Sequence, residues 1–246
     1  MLDLDGTMIK TGEPLDGELA KYLKNFQEKS NVLITTGRHP LGVKFAIGSA
    51  LGFVPTISLN GGGLHLTSWS KFDEVIYFPK EIITQFRTGV TNYDLTITYY
   101  GRDFWAVSDI SQYIKKESAV TGMKPINWNE QFAGSCIKIM IMARPAIIKR
   151  VRGEINKKFS NRLNLSASRH TYLEISPANV DKVTFMDIYL KHLSNTSDNK
   201  IHTIFVGDSE NDLSCAKFAD ESWTFPSAPE ELKDVSTGIL ADNNGA

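Results

Sequence analysis

Apolar residues follow two different rhythms along the chain. Near the start, Leu15, Leu19, Leu23 and Phe26 recur every three or four positions, which predicts a helix over 14–29. Short apolar runs at 31–35 and 56–59 read as strands, with a helix-like stretch over 41–51 between them. Strands alternating with helices predict parallel βαβ units. After Asn60-Gly61-Gly62-Gly63 the pattern changes. Residues 64–69 and 74–78 read as a strand pair, 80–90 as a helix, and 94–100 with 103–107 as a hairpin turning at Gly101-Arg102. The apolar run 136–143 is a further strand. Ile148, Val151, Ile155 and Phe159 form one stripe of a helix over 145–159, with Pro145 near its start. Two more strands are expected at 164–168 and 172–175. Such a segment predicts an antiparallel sheet with helices on one face.

From Asp181 the first rhythm returns, with a helix over 182–193, a buried strand at 203–206, a helix over 213–219 and short strands at 223–225 and 237–240. The chain is therefore expected to be an α/β protein, a parallel-sheet core interrupted by an α+β insert. The core is assigned to 1–62 and 179–246, the insert to 63–178.

Composition narrows the class without naming it. A chain of 246 residues suits one large domain or two modest ones. Its 41% hydrophobic and 22% charged residues are ordinary for a globular protein. The 27 basic residues face 28 acidic ones with no block of five like charges, which argues against a nucleic-acid footprint or a basic membrane patch. Cys136 and Cys215 lie far apart with no zinc spacing, and read as buried small hydrophobes in a reducing compartment. No apolar run approaches the ~20 residues of a membrane helix, and the start lacks the order of a signal peptide. A cytoplasmic protein is expected.

The candidate chemistry lies at strand ends. Asp3 and Asp5 are two apart, so extended backbone delivers both carboxylates to one side. Gly6 permits an immediate turn. In an open parallel sheet, ligands bind beyond the carboxyl ends of the strands. Alone, Asp3–Thr7 reads equally well as a solvated acidic turn. A second acidic cluster, Gly207-Asp208-Ser209-Glu210-Asn211-Asp212, also follows an apolar strand. Asp3 and Asp208 could share one Mg²⁺, which takes oxygen ligands. Glu210 reads as first-turn capping, and so do Asn211 and Asp212 on their own. Thr36-Gly37-Arg38 offers a hydroxyl and backbone N–H groups to phosphate oxygens. Lys182, placed at a helix start, opposes the macrodipole there, which hints at a function, though a solvated lysine would also fit.

Together, DLDGT at 3–7, TGR at 36–38, Lys182 and GDSEND at 207–212 resemble, in order, the four motifs of the haloacid dehalogenase superfamily. The long insert resembles the C2-type cap of its Cof-type, sugar-phosphatase-like branch, subfamily IIB. The resemblance spans nearly the whole chain and implies a Rossmann-like core with a cap. It implies that Asp3 is the nucleophile and a Mg²⁺ ligand, and that Asp5 is the general acid and base with its backbone carbonyl on the metal. It makes Asp208 a metal ligand, and has Asp212 orient Lys182 or join the metal site. Thr36 and Gly37 would bind the phosphoryl group with help from Lys182 and Asn211. Asn60 and Arg38 would touch substrate. The implied activity is Mg²⁺-dependent hydrolysis of small phosphorylated metabolites, sugar phosphates first, through an aspartyl-phosphate. A phosphomutase and a non-catalytic phosphometabolite-binding regulator are the alternatives. Asp5 favours phosphate chemistry, since dehalogenating and ion-pumping relatives lack it.

Three features depart from the resemblance. Only Met1 and Leu2 precede Asp3, so the central strand is expected to be clipped relative to the ~5–6 residues of a typical strand. The chain stops at Asn243-Asn244-Gly245-Ala246, where relatives continue into a closing helix. The stretch 225–233 keeps only part of the usual pattern. Trp69, Tyr99, Tyr100, Phe104, Trp105 and Trp128 could offer a sugar-stacking surface, but most are expected to fill a core.

Overall fold

The computed structural model describes residues 1–10, 12–90, 93–195 and 200–241. The expected features at Asn243–Ala246 lie outside them.

Met1–Asp3 runs through the middle of the core sheet despite its brevity. Leu2 N–H donates to Leu33 O and its carbonyl accepts from Thr35 N–H, while Asp3 N–H donates to Val206 O, each at 2.9 Å. Leu2 thus bridges two parallel neighbours, the strands Ile34–Thr35 and Ile204–Val206. This segment is held on both edges, and Asp3 emerges where those neighbours also end. On one side the sheet continues in parallel to Thr56–Ser58, then antiparallel to Gly63–His65 and Glu74–Val75. On the other it continues in parallel to Glu221–Thr224 and Gly238–Ile239. A buried apolar layer of Leu4, Leu23, Ile34, Val43 and Ile47 packs the sheet against the helices Gly17–Gln27 and Pro40–Leu51. Asp16 caps the first of these by accepting from Glu18 and Leu19 N–H.

The strand pair expected at the start of the insert is present, but it hydrogen-bonds to the core sheet. Trp69, on its connection, packs among core residues and stacks edge-on against Phe53 at 5.2 Å. We therefore propose that the insert, placed at 63–178 by the change of hydrophobic rhythm, leaves the core after Val75.

The insert forms a six-stranded sheet in the order Ile126–Asn127, Trp105–Val107, Thr96–Tyr100, Lys138–Met142, Tyr172–Pro177, Leu163–Arg169. Neighbours are antiparallel except the first pair. One face, with Ile97, Tyr99, Ile139, Ile141, Leu173 and Ile175, is covered by the helices Lys80–Gly89 and Pro145–Phe159. The period of two then sends Tyr100, Lys138, Met140, Tyr172 and Glu174 to the other face. That face looks onto the core's strand ends. The helix Gln112–Thr121, on the same side, has no counterpart in the periodicity, because Ile114 and Thr121 are its only fully buried residues among those described.

A helix was expected to begin at Lys182. It begins at Met186, and Asp181–Phe185 form a turn. There Val183 N–H donates to the Asp181 carboxylate and Thr184 N–H to the Asp181 carbonyl. Gly61 explains the close fit of this turn to the core. At φ +90° it lies against the Asp181 carbonyl, and a Cβ would approach that oxygen to 1.6 Å. Only glycine satisfies both conditions.

Candidate active site

Asp3, Lys182 and Asp212 form a buried ionic stack. The Lys182 ammonium donates to Asp3 Oδ1 at 2.5 Å and to Asp212 Oδ1 at 2.7 Å, and all three side chains are at most 6% exposed. Burial would discharge the lysine, but Asp212 and Asp3 outweigh it and hold Lys182 charged, well above its usual range. Burial pushes the Asp3 carboxyl upward, opposed by Lys182 and reinforced by Asp212 and Asp208. Lys182 is thus no solvated helix-start lysine.

Asp212 is a capping residue as well as a partner of Lys182. Its Oδ2 accepts from Asp208 N–H at 3.0 Å and Ser209 N–H at 2.9 Å, closing a reciprocal box at the first turn of Glu210–Asp212. Both of its oxygens are therefore engaged by the protein. Asp208 accepts from the Thr7 hydroxyl at 3.1 Å and the Ser209 hydroxyl at 2.9 Å. Its carboxylate lies over Gly6, whose Cβ, were there one, would stand 2.5 Å from Oδ2. Glu210 pairs with Arg152 of the insert, which the capping reading did not foresee.

Asp3, Asp208 and Asp212 offer carboxylate oxygens within 4.8 Å of one another. Three carboxylates against the single ammonium leave the cluster negative. An all-oxygen donor set of this charge fits a hard divalent cation such as Mg²⁺. Each of the three could offer an oxygen to such an ion; Asp212 is the one also held by Lys182 and two backbone N–H groups.

Asp5 is gripped by Arg38. The guanidinium donates to Asp5 Oδ2 from Nε at 2.6 Å and to Oδ1 from Nη2 at 2.7 Å, a bidentate pair. Its remaining nitrogen donates to the carbonyls of Gly42 and, across to the insert, Val120. The sequence suggested that Arg38 reaches substrate; it grips Asp5 and also lines the cavity described below. Thr36 is buried, and its hydroxyl accepts from Arg38 N–H at 3.1 Å. Gly37 packs so closely that a Cβ would meet Glu174 Oε2 at 2.8 Å and Asn60 Oδ1 at 3.0 Å. Asn60, at φ 54°, accepts from Asn211 Nδ2 at 3.2 Å and donates to Glu174.

A cavity of about 460 Å³ joins Asp3, Asp5, Thr36, Gly37, Arg38, Asp208 and Asn211 to the insert. Asn60 and the buried Lys182 and Asp212 stand behind its wall. The roof brings in residues the motifs did not announce: Glu117, Lys138, Ser168, Arg169, Tyr172 and Glu174. Their one visible signal was a charge interrupting an apolar strand, Lys138 within 136–143 and Glu174 within 172–175. Of the aromatics singled out, Tyr100 lines the cavity, while Trp105 stacks on it at 6.1 Å and Tyr99 packs on Trp128 at 4.0 Å in the insert's interior.

A parallel core sheet, its strand-end carboxylates and a capping insert define a class of hydrolases. The entire chain, 1–246, matches the family model for haloacid dehalogenase-like hydrolases, and the protein belongs to that family. Solved structures agree on the fold. A haloacid dehalogenase-like hydrolase from Bacteroides thetaiotaomicron has a TM-score of 0.80 at 21% identity, covering 99% of this chain and 93% of that one. A haloacid dehalogenase/Cof-like hydrolase from Plasmodium vivax reaches 0.82 at 22% identity, over 97% and 88%. A subclass IIB sugar phosphatase reaches 0.80 at 15% identity, over 99% and 93%. No curated protein matches the sequence.

Proposed function

We propose that the protein is a Mg²⁺-dependent phosphatase of small phosphorylated metabolites, sugar phosphates first, acting through a phosphorylated Asp3. The observation that carries this reading is the Asp3 carboxylate, buried at a strand end, held by Lys182 at 2.5 Å and backed by Asp208. Asp3 Oδ1 is committed to Lys182, so Oδ2 is the attacking oxygen. It forms a bond to phosphorus as the bond to the ester oxygen breaks. Asp5 gives its proton to the departing alcohol, then takes one from the water that attacks the aspartyl-phosphate and releases inorganic phosphate. For the first step an Asp5 oxygen must exchange a hydrogen bond from Arg38 for a proton. Thr36 and Gly37 orient the phosphoryl group. Asn211, bonded through Asn60 to the roof, stands beside them.

Asp3 and Asp208, with the Asp5 carbonyl, would hold Mg²⁺. When bound, the ion supplies positive charge that offsets the repulsion between an anionic nucleophile and a dianionic ester. Lys182 supplies the rest from the protein. The cavity is of ordinary size for a small metabolite. Cys136 and Cys215 are free and buried, and no helix among the described residues is long and apolar enough to cross a membrane. A cytoplasmic setting belongs to the same proposal.

Phosphate release from a panel of sugar phosphates, nucleotides and pyridoxal phosphate tests the reading and ranks the substrates. Asp3→Asn should abolish release while leaving the thermal transition in place. Appreciable residual turnover by that variant would remove Asp3 from the nucleophile role.

A further inference from the structure

Lys138 is a cation at the reaction centre that none of the four motifs supplies. It sits on the central insert strand Lys138–Met142 and is only 2% exposed. Its ammonium donates to the Gly37 carbonyl at 2.7 Å and pairs with Glu174 at 2.7 Å, 5.6 Å from the centre of the Tyr100 ring. Glu174 in turn also accepts from the Ser168 hydroxyl and the Asn60 amide. Burial alone would raise the Glu174 carboxyl, but Lys138 and Ser168 overcome it and keep it ionised, below its usual range. The loop leaves no slack, since a Cβ on Gly37 would stand 3.2 Å from the Lys138 nitrogen. Lys138 is therefore fixed against the phosphoryl-binding loop, and it lines the cavity that holds Asp3.

Buried ion pairs are poor sources of stability, because desolvation offsets their attraction. One kept in a cavity wall beside a nucleophile has a better explanation in a ligand. An ammonium has three N–H groups. Among the described residues Lys138 gives one to Gly37 and one to Glu174, which leaves the third for the cavity. Displacement at phosphorus runs roughly in line, with the leaving oxygen opposite the nucleophile. Asp3 rises from the core, so the leaving group faces the insert.

We propose that Lys138 binds the alcohol portion of the substrate, donating to an oxygen close to the ester bond, and that Glu174, Ser168 and Asn60 position it to do so. The ligand class is a phosphate monoester whose alcohol carries further oxygens near phosphorus, as aldose and polyol phosphates do. An aryl phosphate offers Lys138 no such acceptor. This inference rests on the phosphatase reading, and its test is built to fail separately.

Wild type, Lys138→Met and Lys138→Met/Glu174→Gln are compared on hexose 6-phosphates (glucose, mannose and fructose) and on p-nitrophenyl phosphate. The double variant removes both charges together, so it still reports if the single variant fails to melt cooperatively. For the best hexose phosphate, kcat/KM should fall about 100-fold, the scale of a lost charge-assisted hydrogen bond. The loss on p-nitrophenyl phosphate should be at least about tenfold smaller. Equal losses on both esters, or no loss on either, overturn the proposal. A second arm titrates hexose 6-phosphates and inorganic phosphate into Asp3→Asn protein with and without Lys138→Met. The sugar phosphate should weaken more than phosphate, and equal weakening overturns the assignment. Should wild type hydrolyse neither ester, the phosphatase reading falls and the titration alone decides Lys138.

Discussion

Between Asp3 and Asp212, the Lys182 ammonium makes two hydrogen bonds with its side chain only 1% exposed. Replacing it by Met leaves two carboxylates buried face to face with no counter-charge. Removing one member of a buried ionic group costs about 3–5 kcal/mol. In a chain of this size that corresponds to a drop of roughly 6–20 °C in Tm, read by calorimetry. Phosphate release should fall by at least about 10²-fold, the usual consequence of losing a preorganised donor. Asp3, Asp208 and Lys182 stood out because they sit at strand ends or where the first rhythm resumes, but each alone fitted a bland reading, and only the order of the four motifs joined them. Lys138 did not. Its main partner, the Gly37 carbonyl, lies 101 positions away, and no local pattern encodes that meeting. Arg38 was visible as a residue but its grip on Asp5 was not, because the two lie 33 positions apart at different strand ends.

Elements tie the site together through a few tight joints, and His39 is one of them. It precedes the helix Pro40–Leu51, and its Nε2 lies 3.1 Å from the carbonyls of both Gly101 and Arg102 in the insert. Two acceptors there place the proton on Nε2, while Nδ1 accepts from Leu41 N–H. Burial pushes the pKa of His39 down to about 4, and that of His65, on the strand Gly63–His65, to about 4 as well. Both imidazoles fold neutral. The stability they contribute is fully present above the ordinary value of about 6.5 and is lost as pH falls through 4, at most about 3 kcal/mol for each. Melting curves between pH 7 and pH 4 should therefore show a steeper fall for wild type than for His39→Gln, which keeps a side-chain N–H without the titration. Gly61 is a second joint. Gly61→Ala combines positive-φ strain with a Cβ driven into the Asp181 carbonyl. It should cost about 2–5 kcal/mol and displace the turn that carries Lys182. Chemical denaturation measures the first effect, and loss of phosphate release the second. Periodicity located nearly every element that packs an apolar stripe. It passed over the helix Gln112–Thr121, whose buried face is little more than Ile114, and yet that helix brings Glu117 to the roof.

At the scale of the whole molecule, two sheets meet across a negatively charged centre. The junction is crossed by Lys138 to Gly37, Asn60 to Glu174, Arg38 to Val120, His39 to Gly101 and Asn164 to Val180. Each uses a backbone or side-chain group that would otherwise need water, so the closed arrangement satisfies polar groups on both units. The unbalanced charge lies below, where the carboxylates of Asp3, Asp208 and Asp212 cluster within 4.8 Å and a single lysine bridges Asp3 and Asp212. Repulsion in that cluster opposes folding, and it vanishes on unfolding as the chain segments 1–10 and 200–241 separate. A divalent cation that binds the folded cluster and not the unfolded chain must then stabilise the protein by mass action, about 2.7 kcal/mol at a hundred times Kd. Mg²⁺ should raise Tm by roughly 5–10 °C at that loading, and EDTA should reverse the rise. Asp208→Asn should abolish most of the shift while leaving the metal-free protein no less stable, because it removes a repelling carboxylate. Differential scanning calorimetry with and without Mg²⁺ reads all three outcomes with no substrate present. A Tm indifferent to Mg²⁺ in wild type would mean that Lys182 alone balances the cluster. The metal would then have to be sought elsewhere in the reaction.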